Sequence, residues 1–347
     1  MKKIIIALLV CLFLVSCSNL QGGSINTPYP TFTAQPTFTP YPTYTPFPTP
    51  LPVTEKWHHY RITYSISLDG YRGVTKVWMP VPVDSVTQQG VKLLEVSPVP
   101  KDIYYEPKGN QIIYWQENIQ NDGFKFSEQF EIYILQKTWT IKPEDVGTYD
   151  PDDPALFYLR PSNMMQSDNP EILAAAQEIV GEETNPYQKI QLIVSYLKKN
   201  MVSGGEKEDA VSVIRTKQVP ACGAAAHIFV ALSRAAGIPA RIVSGVHSLR
   251  PGTYNWHENN FGTHLWTEFY LPNYGWIPAD VLWGDGVILA EYQGNRIILS
   301  RDSDFNLGHD GKSVSWFHMP YVNNHQEENS DLILIVEFLG TSEHPDY

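Results

Sequence analysis

Cysteine is scarce in this chain, with three in 347 residues: Cys11, Cys17 and Cys222. Positive charge is also short, with 25 Lys and Arg against 37 Asp and Glu, for a formal net charge of −12. An acidic chain carries no electrostatic footprint for a phosphate backbone, so nucleic acid is excluded as a partner class. The apolar run Ile4 to Val15 is twelve residues long, too short to cross a bilayer. A composition of 43% hydrophobic, 12% aromatic and 18% charged residues excludes a disordered or fibrous protein. It leaves apolar material for two modest cores.

The short apolar run follows Lys2 and Lys3, as in a targeting segment, and ends in Leu14-Val15-Ser16-Cys17. That ending resembles the lipobox of bacterial lipoproteins, which implies removal of residues 1–16 and lipid on the Cys17 sulfur. The expected location is therefore the extracytoplasmic face of a cell membrane, held by the N-terminal lipid. Processing would leave Cys222 as the free thiol, with no partner for an intramolecular disulfide. An extracytoplasmic protein that keeps one unpaired thiol has either a chemical use for it or a buried, inert cysteine.

Residues 27–52 hold nine prolines, interleaved with Thr, Phe and Tyr, which leaves no helix or sheet available. Drawn out as polyproline II, that run would reach about 80 Å. We read residues 17–55 as a lipid-attached linker that lifts the folded part from the membrane. Residues 56–142 read as a β-rich domain, sandwich-like. Tyr60 to Leu68 alternates apolar and polar residues, and Thr75 to Met79, Gln111 to Gln116 and Phe130 to Leu135 follow the same pattern between turn residues. Helical signals begin at Pro170, with one helix to Val180, a second from Pro186 to Asn200 and a third from Cys222 to Ala236. Apolar strands then cover Arg241 to Val246, Thr263 to Leu271 and Trp276 to Pro278. Helices followed by strands give an α+β class for residues 143–310. Residues 311–347, with strand-like Leu332 to Phe338, read as a C-terminal extension.

Three segments carry the residue types for thiol chemistry: Pro220-Ala221-Cys222-Gly223, Thr263-His264-Leu265-Trp266 and Trp276-Ile277-Pro278-Ala279-Asp280. A thiol nucleophile needs a lowered pKa, a base within hydrogen-bond reach and a third group to orient that base. Cys222 stands where a helix begins, so the dipole and unpaired N–H groups favour its thiolate and could receive an oxyanion. His264 near a strand start and Asp280 at the next strand's end fit adjacent antiparallel strands, with Asp280 expected to accept from His264 Nδ1.

The run from Cys222 through His227 to Gly237 and Arg241 resembles the nucleophile helix of the transglutaminase-like superfamily. His264 to Tyr270 and Gly275 to Asp280 resemble its histidine and aspartate strands. The resemblance covers roughly residues 170–283 and implies a papain-like core. It implies Cys222 as nucleophile, His264 as base and Asp280 as orienter, acting on protein or peptide amides with no cofactor. Two departures stand out: Pro220 where the family commonly has glycine, and Asn200-Met201-Val202-Ser203-Gly204-Gly205 where an aromatic usually closes the preceding segment. Gln218 is a candidate second oxyanion donor.

A zinc site does not fit one surviving cysteine with His247, His257 and His264 at these spacings, so no metal is expected. Pro220-Ala221-Cys222 lacks the second cysteine of a deaminase signature. His257 and Glu258 read as cleft-rim or solvated residues, and His58 and His59 as surface residues. Two functions fit this sequence: a thiol enzyme that hydrolyses or transfers acyl groups, and a surface-anchored binding protein that keeps the fold without turnover.

Overall fold

The computed structural model describes residues 55–258, 262–281, 287–323 and 330–345. The targeting segment, Cys17 and the proline-rich run lie outside them. No helix among the described residues is long and apolar enough to cross a membrane.

The described residues open with six strands: β1 (Lys56–Leu68), β2 (Gly73–Val81), β3 (Gln88–Ser97), β4 (Asp102–Tyr105), β5 (Gln111–Ile119) and β6 (Phe124–Thr138). Alternation along β1 buries Tyr60, Ile62, Tyr64, Ile66 and Leu68. That is the period-2 pattern of a strand with one face on a core. β1 and β6 lie in one antiparallel sheet, β2 and β5 in a second, and their inward residues meet in one apolar cluster. The sandwich expected from the sequence is present. His58 and His59 are part of its packing rather than simply exposed: His59 stacks on Tyr133 at 4.1 Å, and the His58 ring bonds Gln136 at 2.8 Å.

Among the described residues four α-helices follow: α1 (Pro170–Val180), α2 (Pro186–Asn200), α3 (Ala210–Thr216) and α4 (Cys222–Ala235). Asn169 and Asn185 cap α1 and α2 through their side chains, each with proline in the first turn, so the two helices begin where the sequence places them. α2 buries Ile190, Ile193, Val194 and Leu197, the expected face. α3 was not expected, because seven residues give too little periodicity to read. α4 is buried from Gly223 to Arg234, with α1, α2 and α3 against one side. Its other side meets the strands Ala240–Val246 and Thr263–Leu271. Small residues at 223–226 and 231 let those neighbours come close.

The strands after α4 form a third, antiparallel sheet in the order Ile288–Leu289, Gly275–Asp280, Thr263–Leu271, Ala240–Val246, Ile297–Arg301. Arg241 and Glu268 face each other across two of its strands, both buried, with guanidinium nitrogens 2.7 and 2.8 Å from one carboxylate oxygen. The same guanidinium lies 3.9 Å from the ring centre of Trp276.

Two expected divisions of the chain do not coincide with the packing. The strand Ser330–Ser342, read as part of a C-terminal extension, pairs along the whole of β1 from Trp57↔Ser342 to Leu68↔Ser330. It covers the edge β1 would otherwise expose, and Gly252–Asn255 pairs onto its far side. The boundary at 142 is likewise crossed. Val243, Val246, Trp266 and Ile297 join the cluster that holds Ile62, Val77 and Trp115, because apolar faces of two sheets bury each other there. The fold is α+β throughout, with helices on one side of the third sheet and the sandwich on the other.

Removing one partner of a buried, hydrogen-bonded charge pair leaves the other charge without compensation. Glu268→Ala should therefore destabilise the protein by about 3–5 kcal/mol in urea unfolding, although residue 268 is not part of the candidate site.

Candidate active site

Cys222 is the first residue of α4 and is half-buried. α1, α2 and α3 each have a side-chain N-cap, whereas Ala221 offers none to α4. The first N–H groups of α4 are therefore free of a capping side chain, as an oxyanion site requires. The N–H groups of Gly223 and Leu265 donate toward the sulfur, and the His264 ring hydrogen-bonds it. Burial pushes the thiol up, but these bonds and the His264 charge outweigh it and hold the thiol below its ordinary value.

His264 and Asp280 are buried on the neighbouring strands, with His264 Nε2 2.9 Å from Asp280 Oδ2. The expected tautomer is corrected here. Nε2, not Nδ1, faces the carboxylate, which leaves Nδ1 for the thiol. Burial lowers the tendency of His264 to hold a proton, yet its bonds to Asp280 and Cys222 raise it to about 9. Asp280 is held below the usual carboxylate range despite burial, by the His264 bond and the charges of His264 and Arg296. Cys222, His264 and Asp280 are thus brought into one hydrogen-bonded line from three separate elements.

Sequence reasoning missed Arg296. Its Nη1 donates to Asp280 Oδ2 at 2.7 Å, so the carboxylate oxygen that orients His264 also meets a guanidinium. The residue precedes the strand Ile297–Arg301, which pairs with Ala240–Val246. Gly245 makes that pairing possible, since a Cβ there would lie 1.8 Å from the Ile297 carbonyl oxygen. Among sequence signals, only that glycine inside a strand hints at the close approach.

Two aromatic contacts fix the imidazole plane. Trp266 stacks at 5.9 Å and 18° to the His264 ring, and His247 lies 4.7 Å away. His247 is pushed down to about 4, by burial first and then by His264 and Arg296, so it stays neutral beside an imidazolium. The other residues weighed from the sequence lie elsewhere. Gln218 is exposed with its side chain against Gly205, and His257 is exposed with its ring on the Ser330 carbonyl.

Residues 173–281 match the family model of the transglutaminase-like superfamily. An uncharacterized protein of Haemophilus influenzae is 27% identical over 262 residues, spanning 64% of this chain and 68% of its own length. A solved structure from Cytophaga hutchinsonii, described as a candidate cysteine protease, superposes with a TM-score of 0.51 at 18% identity. It covers 86% of this chain and 94% of its own, so the shared fold takes in the sandwich as well as the helical half.

At pH 6, iodoacetamide should label Cys222 at least tenfold faster in the folded protein than after denaturation, and His264→Ala should abolish the difference. Arg296→Gln removes a positive charge from the cluster. It should move the pH profile of labelling to higher pH, because the thiolate loses part of its compensation.

Proposed function

We propose that this chain, whose residues 173–281 form a transglutaminase-like domain, is a thiol enzyme that opens amide bonds of proteins or peptides through an acyl-enzyme. The observation that carries this reading is the line Cys222–His264–Asp280 at a helix start without a side-chain cap.

The lowered thiol and the raised imidazole both favour a thiolate–imidazolium pair over the neutral one. The sulfur attacks the amide carbonyl carbon, and the carbonyl electrons move to oxygen. The N–H of Cys222 and its neighbours in the first turn receive that oxyanion. As the tetrahedral adduct collapses, the C–N bond breaks and His264 Nδ1 gives its proton to the departing amine. The imidazole, now neutral, takes a proton from water as the water oxygen attacks the thioester, and the thiolate leaves. A primary amine in place of water gives transfer instead of hydrolysis with the same residues. Asp280 holds the ring through Nε2 and favours its charged form.

The reading also includes a location. The lipobox-like Leu14-Val15-Ser16-Cys17 and the proline-rich run support an enzyme tethered by lipid on the extracytoplasmic face of the membrane. In cells fed a labelled fatty acid, the protein should carry label, and Cys17→Ser should lose it and release the protein from the membrane fraction.

Two chemical outcomes follow from the pKa directions. kcat/KM should rise with pH through the lowered thiol value and fall as pH rises through about 9, where His264 loses the proton the leaving amine needs. Iodoacetamide labelling needs no proton donor and should show no such fall. Cys222→Ala should remove turnover of a glutamine-containing peptide by at least a thousandfold, with the unfolding midpoint near wild type. Product mass with and without an added primary amine reports hydrolysis or transfer. Full turnover by Cys222→Ala would overturn the proposal.

A further inference from the structure

The segment between α2 and α3 returns to the start of the nucleophile helix. His227, on α4, donates its Nδ1–H to the backbone carbonyl of Glu208 at 2.8 Å and so pins this loop to the helix. The Glu208 carboxylate reaches the residue that follows the nucleophile: a Cβ on Gly223 would lie 2.8 Å from Glu208 Oε2. Any larger residue at 223 would displace the carboxylate.

Several carboxylates of this protein are paired with arginine. Glu131, Glu171, Glu268 and Asp280 each face a guanidinium within 2.9 Å. Glu208 is half-buried and its carboxyl is pushed above the usual range by burial alone, with no charged or hydrogen-bonding partner among the described residues to offset it. A partly desolvated carboxylate without a partner is poised to take one from outside the chain. Two further features surround the His227 ring that holds this loop. Trp316 is 38% exposed and its ring lies 6.3 Å from that of His227. His227 itself is 0% exposed, and its Nε2 has no partner among the described residues. An unpaired carboxylate next to the residue that follows Cys222 is the chemistry that receives a cation.

We propose that Glu208 is a specificity-determining residue that receives a positively charged group, an ammonium or guanidinium, of the substrate bound at Cys222. The proposal rests on the thiol-enzyme reading. The charge has two sources in that chemistry: a basic side chain on the acyl donor, or the incoming amine of a transfer reaction.

The primary test needs no turnover. Methanethiosulfonate reagents of similar size, bearing an ammonium, no charge or a sulfonate, are reacted with Cys222 in wild type, Glu208→Gln and Glu208→Asp, each rate divided by that of the same reagent with a small free thiol. The wild type should favour the ammonium reagent over the neutral one by about tenfold and disfavour the sulfonate. Glu208→Gln should bring the ammonium-to-neutral ratio near one, and Glu208→Asp, which keeps the charge, should retain most of the preference. A wild-type ratio near one, or an unchanged ratio in Glu208→Gln, overturns the proposal. Failure of the thiol-enzyme reading looks different: the neutral reagent would react no faster than with the denatured chain.

A second arm separates the two sources. Glutamine peptides with lysine or norleucine beside the glutamine are offered with water alone or with a primary amine. Loss of the lysine preference in Glu208→Gln under hydrolysis assigns the donor side chain, and loss of only the amine-over-water partition assigns the acceptor. Both outcomes support the proposal, and a variant that changes neither overturns it.

Discussion

Four ionisable groups lie side by side at the centre of this protein, and their charges must cancel. The thiol of Cys222 and the carboxylate of Asp280 contribute two negative charges when ionised, and His264 and Arg296 contribute two positive ones. In a poorly hydrated site an uncompensated charge is expensive. With Arg296 on Asp280, the imidazolium is left to compensate the thiolate, and a thiolate–imidazolium pair becomes the neutral arrangement of the cluster. Without that guanidinium, two anions would share one cation, and the thiol would hold its proton more firmly.

The scaffold can be read as the means of holding that cluster. α4 brings a thiol to a helix start, and its small residues let the third sheet come near. His264 and Asp280 ride on adjacent antiparallel strands, whose register sets the two side chains within hydrogen-bond distance. The sheet is fixed from behind by the sandwich, with which it shares an apolar cluster, and the sandwich is completed by the final strand. A chain cut before Ser330 would lose a neighbour of β1, so the last residues support the site from a distance.

Much of this was legible because its signals are local. Asn-Pro pairs mark the starts of α1 and α2, alternation marks β1 and β6, and the apolar face of α2 follows helical spacing. Other parts were not. α3 and the strands β3 and β4 are short or lack alternation, and β3 carries register shifts against β6 that break any regular pattern. The nitrogen of His264 that faces Asp280 depends on a side-chain rotation that no spacing reports. Glu208 was invisible as well, since its place beside Gly223 comes from a hydrogen bond between a loop and a helix 19 residues apart.

The sequence by itself determined the thiol, its position at a helix start and the order of thiol, imidazole and carboxylate, because each is fixed by residue type and local backbone preference. Tertiary structure decided the rest. It placed Arg296 on Asp280 by allowing one strand to approach Gly245, and it made the last strand part of the first sheet. It also set an unpaired carboxylate against Gly223, the residue after Cys222. These are long-range pairings, which depend on how sheets twist and pack together and so leave no periodic trace along the chain.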